Sequence, residues 1–278
     1  MTRGQFISYA LGRLDSSLSP RLDAEMLLMH VCGIDRASVI AHPETDLEAR
    51  QQDRLHELLT RRSHGEPIAY LTGHREFWSL DFTVTPATLI PRPETELLVE
   101  RALAHLPTDV SCKLADLGTG CGAIALALAI ERPQCRVVAT DISTDALAVA
   151  HLNAQRHRVA NIEFRHGRWF LPLAGERFDM IVSNPPYVRD GDHCLHTGDT
   201  RFEDPRALAS GFDGLQALRE IALGARHCLK PGGRLLLEHG ANQVQDLRPV
   251  LHDGGYRDIV CHVDLNGIDR VTECRYVA

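Results

Sequence analysis

Residues 113–123 read K-L-A-D-L-G-T-G-C-G-A, and the order of textures inside them decides the fold. An apolar segment ends in glycines at 118, 120 and 122, and the run A-I-A-L-A-L-A-I follows at once from Ala123. A strand that turns directly into a helix through a glycine loop opens a parallel α/β sheet, in which ligands bind where the strands end. Glycines let the backbone turn sharply and let a ligand lie against free N–H groups at the helix start. Glycine loops also close strands that bind nothing, and Gly118, Gly120 and Ala123 satisfy the dinucleotide variant G-x-G-x-x-A. The loop alone therefore leaves NAD, FAD and other nucleoside cofactors open.

Downstream, short apolar strands keep alternating with helices. The expected order is a helix over 122–130, strand R-V-V-A-T-D, a helix over 144–155, strand I-E-F-R-H and strand F-D-M-I-V-S-N. A helix over 215–228, strand G-R-L-L-L-E-H-G and a helix near 243–251 follow. This is the pattern of a doubly wound, mostly parallel sheet. Two β-like runs close the chain, Y-R-D-I-V-C-H-V and R-V-T-E-C-R-Y-V. Their connection is too short for a helical crossover, so they should be antiparallel.

Upstream, the region from Thr2 to Arg75 has helical apolar spacing, as at Leu22, Met26, Leu27 and Met29 and again at Leu55, Leu58 and Leu59. Pro20, Gly33, Pro43 and Gly65 divide it into four or five helices, with Asp46 as a candidate N-cap. Between 76 and 90 the aromatic and β-branched run F-W-S-L-D-F-T-V-T-P reads as a hairpin. Thr95 then opens a helix through Ala104. The expected organisation is a helical domain over 1–75, a linking hairpin over 76–90 and an α/β domain over 91–278.

Composition narrows the function classes. A net charge of −7 disfavours a polyanion partner, because nucleic-acid binding rests on Lys and Arg neutralising phosphates. No apolar run approaches the roughly 18 residues needed to span a bilayer, and the N-terminus lacks the apolar core of a secretory signal. A cytoplasmic protein is expected. The eight cysteines show no C-x-x-C spacing and read as reduced core thiols. The 15 histidines do not pair at zinc-ligand spacing, so no metal is expected.

Two further features carry chemistry. Asp141 ends the second strand of the α/β region, where a carboxylate accepts hydrogen bonds from ribose hydroxyls. Asp116, beside the glycines, is unwelcome near a pyrophosphate but suits an ammonium or sulfonium, which favours S-adenosylmethionine over NAD. Asn184, Pro185, Pro186 and Tyr187 follow the strand F-D-M-I-V-S, at the carboxyl edge of the sheet. A planar amide or amine nitrogen has two N–H donors and a delocalised lone pair. The Asn184 side-chain oxygen and the Pro185 carbonyl offer two acceptors for it. Both bonds strengthen as the nitrogen becomes cationic, and Tyr187 offers a flat face for stacking.

On these segments the chain resembles the protein-(glutamine-N5) methyltransferases that modify peptide chain release factors. The resemblance runs through F-W-S-L at 77–80, T-L-I-P-R-P-E-T-E at 88–96, D-L-G-T-G-C-G-A-I-A-L-A-L-A at 116–129 and V-S-N-P-P-Y at 182–187. It continues in R-F-E-D-P-R-A-L and K-P-G-G-x-L-L-L-E-H-G. N-P-P-Y is shared with adenine-N6 methyltransferases, whereas I-P-R-P-E-T-E with a helical N-terminal domain is specific to this family. The resemblance implies a class I methyltransferase sheet with a small helical N-terminal domain; that domain carries no motif for chemistry and is expected to hold the protein substrate, because a glutamine alone selects no partner. It implies S-adenosylmethionine as methyl donor, S-adenosylhomocysteine as product and release factors as protein partners. The acceptor is the glutamine of their Gly-Gly-Gln loop. Carried onto this sequence, Gly118, Thr119, Gly120, Cys121, Gly122, Asp141, Trp169 and Asn184 contact the cofactor. Asn184, Pro185, Pro186 and Tyr187 receive the glutamine, with Asn184, Pro185 and Tyr187 catalytic. Arg168 departs from the acidic residue that many relatives carry before the tryptophan. The rival readings are a nucleic-acid adenine methyltransferase, a dinucleotide oxidoreductase and a non-catalytic binding module.

Overall fold

The computed structural model describes residues 1–15 and 17–277, which divide into two units. The smaller comprises Met1–His74 together with Thr197–Phe202; the larger comprises Arg75–His196 and Glu203–Ala278.

The smaller unit is built from five helices: α1 (Arg3–Leu11), α2 (Pro20–Cys32), α3 (Arg36–Ala41), α4 (Ala49–Ser63) and α5 (Ile68–Thr72). Phe6, Leu27, Leu28, Leu55, Leu58 and Leu59 form its core. The buried face of α2 differs from the expected stripe. Ala24, Leu27 and Leu28 point inward, while Leu22 is exposed. The same face buries Asp23 and Glu25, which explains why apolar spacing misled. Each acid is matched by arginine, as a buried charge requires. Arg21 and Arg36 donate to Glu25 at 3.0 and 2.8 Å, and Arg62 donates to Asp23 at 2.7 Å. Arg62 also reaches Asp199 at 3.0 Å, so a segment remote in sequence completes this unit. Asp46 is not an N-cap. Its backbone forms a bridge with Thr2, which delays α4 until Ala49, where Gln51 accepts a hydrogen bond from the Glu48 N–H at 3.0 Å.

The larger unit begins at Arg75, inside the first strand of a hairpin, β1 (His74–Phe77) and β2 (Leu80–Thr83). Its two-residue turn puts Trp78 and Ser79 at φ 53° and 56°, the left-handed pair that matches strand twist. Then follow α6 (Glu96–Leu103), β3 (Lys113–Leu117), α7 (Ala123–Glu131), β4 (Arg136–Asp141), α8 (Thr144–Arg156), β5 (Ile162–His166) and β6 (Phe178–Ser183). The chain ends with α9 (Gln216–Ala225), β7 (Leu229–Glu238), α10 (Val244–Asp253), β8 (Tyr256–Val263) and β9 (Asp269–Tyr276). Asn153 of α8 clamps the hairpin by bonding both the N–H and the carbonyl of Thr83, at 2.8 and 3.0 Å.

The seven-stranded sheet has the order β5-β4-β3-β6-β7-β9-β8. The first five are parallel, and β9 runs antiparallel to both β7 and β8, as the short final connection requires. Strand order reverses between β3 and β6. That is the switch point where connections leave to opposite sides and a crevice opens at the carboxyl ends.

The expectation of reduced thiols throughout is corrected at one pair. Cys112 and Cys135 form a disulfide across a separation of 23 residues. Each cysteine immediately precedes a strand, and β3 and β4 are parallel neighbours in register from Lys113 and Arg136. Only strand pairing brings the two together, so their spacing carried no signal. Closing a loop of this length stabilises a fold by about 3 kcal/mol. Reductant is therefore expected to lower the denaturant midpoint of the native chain, and a Cys112→Ala, Cys135→Ala double variant should start lower and ignore reductant. Among the described residues no helix is long and apolar enough to cross a membrane. No group of three or more His, Cys, Asp or Glu among them could hold a metal.

Candidate active site

The glycine loop is drawn against the end of β4. Gly118 and Thr119 donate their N–H groups to the Thr140 carbonyl at 2.8 and 3.0 Å, and Gly120 donates to Asp141 Oδ2 at 2.9 Å. Asp141 Oδ1 accepts the Ser143 N–H at 2.9 Å. Two backbone donors thus aim this carboxyl. Burial nevertheless pushes its pKa up, against the opposing effect of those N–H groups.

Trp169 forms the adjoining surface with its backbone at φ 43°, a left-handed conformation that a bulky residue adopts at a cost of about 1 kcal/mol or more. The Thr140 hydroxyl holds it there by donating to the Trp169 carbonyl at 3.1 Å. Gly118, at φ 73°, lies against the indole: a Cβ on it would come within 3.2 Å of Trp169 Cζ3. Glycine at 118 is therefore demanded by both backbone and ring. Arg168 is bound through its guanidinium to Glu220, with one contact at 2.9 Å, and sits 5.9 Å above the Trp169 ring.

The N-P-P-Y segment leaves β6 beside the loop. Ser183 donates to the Leu117 carbonyl at 2.7 Å, locking the ends of β6 and β3 together. Asn184 Nδ2 donates to Thr95 Oγ1 at 3.1 Å, which leaves the amide oxygen as the acceptor. Tyr187 is held twice: its hydroxyl donates to Glu238 Oε1 at 3.2 Å, and Gln243 Nε2 donates to its carbonyl at 2.9 Å.

Between these elements lies a cleft of about 360 Å³. Gly118, Gly120, Asp141, Trp169, Asn184 and Pro186 all line it. Thr119, Cys121, Gly122, Pro185 and Tyr187 do not. Thr119 turns inward to donate to Asp116 at 2.6 Å. The Cys121 thiol is buried and its pKa is pushed up to about 12, which makes it inert. Gly122 packs at the N-cap of α7. Asp116, expected to face a cationic cofactor, instead lies fully buried beneath the loop, where desolvation pushes its pKa up to about 7.

Several contributors were not expected. Ala87, Thr88 and Leu89 form one wall, and Asp204, Arg206 and residues 209–211 form another. Glu203 joins them: it accepts from Arg92 at 2.5 Å and from the Ile90 N–H at 3.3 Å. Both walls fall in or beside T-L-I-P-R-P-E-T-E and R-F-E-D-P-R-A-L, segments that carried the resemblance without a role. Glu238 was missed, although it closes an apolar strand as Asp141 does.

Two family descriptions match: PrmC N-terminal domain over residues 5–73, and Methyltransferase small domain over residues 94–211. The chain is 51% identical over 267 residues to the release factor glutamine methyltransferase of Salmonella typhimurium, covering 96% of each chain. It is 50% identical over 267 residues to that of Escherichia coli, again with 96% of each covered. The protein of the same name from Coxiella burnetii is 47% identical over 259 residues, 93% of each chain. Among solved structures, a methyltransferase from Pyrococcus furiosus superimposes with a TM-score of 0.54 at 17% identity, over 83% of this chain and 100% of that one, which establishes the shared fold. With a methyltransferase sheet, a cleft at its switch point and half its residues shared along nearly its whole length, the chain belongs to the release factor glutamine methyltransferase family and is a methyltransferase.

Proposed function

We propose that the chain transfers the methyl group of S-adenosylmethionine to the side-chain amide nitrogen, N5, of the glutamine in the Gly-Gly-Gln loop of peptide chain release factors. The products are N5-methylglutamine and S-adenosylhomocysteine, and the modification tunes translation termination in the cytoplasm. One observation carries this reading. Asn184 lines the cleft and its Nδ2 donates to Thr95, which leaves its amide oxygen as the acceptor that an amide nucleophile needs.

The cleft suits the methyl donor. Asp141, fixed by two backbone N–H groups, would take the ribose hydroxyls, the backbone at Gly118 and Gly120 would lie along the ligand, and Trp169 would pack near the adenine. When bound, S-adenosylmethionine supplies an electrophilic methyl on a positively charged sulfur. Asn184 Oδ1 and the Pro185 carbonyl accept the two N–H bonds of the glutamine amide, and these contacts strengthen as positive charge develops on nitrogen. No strong base is required, since the proton leaves after the nitrogen has become cationic. The work of the protein is alignment.

The test is incubation with methyl-labelled S-adenosylmethionine and, separately, an intact release factor, RNA and DNA, followed by mass spectrometry of the Gly-Gly-Gln peptide. Label confined to that glutamine is expected; label on an adenine overturns the reading.

A glutamine side chain is the same in every protein, so choice of partner must come from contacts away from the reacting nitrogen. The helical unit carries no chemistry of its own and supplies that recognition in this proposal. It exposes Leu18 fully and Leu22 and Ile40 in part. Leu18→Asp with Leu22→Asp is expected to raise KM for an intact release factor by about tenfold, the equivalent of burying one aliphatic side chain, while kcat on a short Gly-Gly-Gln peptide stays unchanged. Equal KM for both substrates in variant and native chain would remove the helical unit from recognition.

A further inference from the structure

Behind the N-P-P-Y segment stands a carboxyl group with no part in the chemistry described above. Glu238 closes β7 with 1% of its surface exposed. The Tyr187 hydroxyl donates to its Oε1 at 3.2 Å, and its buried Oε2 has no hydrogen-bond partner. The Thr95 hydroxyl faces the same carboxyl and favours its ionised form. Thr95 Oγ1 is also the atom that receives Asn184 Nδ2 at 3.1 Å. Both ends of the tetrapeptide that matter for the acceptor amide therefore lead back to Glu238.

We propose that Glu238 is the positioning residue for the acceptor site, fixing Tyr187 directly and Asn184 through Thr95. This rests on the glutamine-methylating reading above. The directions of the hydrogen bonds show how it works. A carboxylate only accepts, so an ionised Glu238 draws both hydroxyl hydrogens toward itself and leaves the Thr95 oxygen lone pair free for Asn184 Nδ2. Asn184 is then held with its oxygen available to the substrate. A protonated Glu238 is itself a donor to the Thr95 oxygen and turns the Thr95 hydroxyl hydrogen away from the carboxyl, so that it meets Asn184 Nδ2 donor against donor. Asn184 would lose its anchor, and its amide could turn to present N–H₂ to a nucleophile that is itself a donor.

Four groups face Glu238. The Tyr187 hydroxyl donates to the carboxylate, the Thr95 hydroxyl facing it favours its charge, the Arg270 guanidinium of β9 lowers its pKa, and Glu94 raises it. Arg270 is itself held by Asp264 at 3.0 Å. Desolvation outweighs the rest and pushes the group up to about 7. The sign follows: the ionised, competent form dominates above that pH, and turnover falls as pH drops through it.

The experiment compares kcat, KM for an intact release factor and affinity for S-adenosylmethionine across pH in the native chain, Glu238→Gln, Thr95→Ala and Thr95→Ser. Glutamine copies the shape of the protonated acid with a permanent donor. It should lower kcat about tenfold above pH ~8, leave cofactor affinity within about twofold and abolish the acid limb, the native chain converging on it below pH ~6. Thr95 makes no side-chain cap to α6, so Thr95→Ala tests the same link without uncapping a helix. It should reproduce the loss, Thr95→Ser should restore kcat, and the Glu238→Gln, Thr95→Ala double variant should lose no more than either alone. An acid limb retained in Glu238→Gln, native kcat in Thr95→Ala, or a loss confined to cofactor affinity overturns the proposal.

A second readout does not require methyl transfer. The side-chain amide resonances of Asn184, assigned by their absence in Asn184→Ala, should shift with an inflection near pH 7 in the native chain and stay flat in Glu238→Gln. A native chain inactive on release factors would count against the proposed reaction alone. Flat Asn184 resonances in the native chain would refute the positioning role whatever the acceptor proves to be.

Discussion

Replacing Asn184 with alanine is expected to lower kcat by about 10²- to 10³-fold, the loss measured when one preorganised partner of developing transition-state charge is removed, while S-adenosylmethionine affinity stays within a few fold. Asn184 lies on the cleft wall with its Nδ2 committed to Thr95, so the variant removes the side-chain acceptor that the proposed reaction assigns to the substrate amide. The Pro185 carbonyl would remain, and one acceptor cannot fix a planar nitrogen that must present its lone pair in line with methyl and sulfur. The effect belongs in kcat because the contact strengthens only as the nitrogen becomes cationic. Asn184→Asp separates orientation from acceptance: it keeps an acceptor but loses the donor to Thr95, so recovery should be partial. Single-turnover transfer to an intact release factor, with calorimetry of the cofactor, measures both. Turnover near the native level in Asn184→Ala would mean that the amide is held elsewhere.

Much of the catalytic unit was legible because its signals are local. Short apolar runs alternating with helices and the glycine turn at 118–122 marked each strand of the sheet to within a few residues, and the short link after β8 required the antiparallel ending. Asp141 and Asn184, singled out at strand ends, and Trp169, singled out through a resemblance, all line one cleft. What escaped detection depends on pairing between remote segments. Cys112 meets Cys135 only because β3 and β4 lie side by side. Glu203 meets Arg92 across more than a hundred residues, and Glu238 meets Tyr187 only once β6 and β7 are neighbours. Asp116 shows the opposite failure. Its position at a strand end suggested a ligand contact, yet alternation of side chains along β3 turns it under the loop, where Thr119 is its partner. Asp23 and Glu25 show that apolar spacing cannot locate a helix face whose buried charges are matched by arginines from other helices.

Asp141→Ala is expected to weaken S-adenosylmethionine binding by about 10²-fold or more. A carboxylate that accepts from two ribose hydroxyls contributes two charge-assisted hydrogen bonds, each worth about 1.5 to 3 kcal/mol. The structure adds a second reason for a large effect. Gly120 hangs on Asp141 Oδ2 at 2.9 Å, so truncation also frees the glycine loop, whose ordering would have to be restored on binding. Asp141→Asn discriminates between these contributions: its amide oxygen can still take the Gly120 N–H at the expense of the Ser143 N–H, and the glycine loop should stay ordered while the charge is lost. Its affinity should fall between alanine and the native chain. Burial raises the pKa of Asp141, so in the native chain cofactor affinity is lost as pH falls through that raised value, at a higher pH than an ordinary aspartate would dictate. Neither variant should show that acid loss. Calorimetry between pH ~4.5 and ~8 reads all three. An unchanged dissociation constant in Asp141→Ala would exclude this carboxylate from the cofactor site, and a native acid limb persisting in Asp141→Asn would assign the titration to another group.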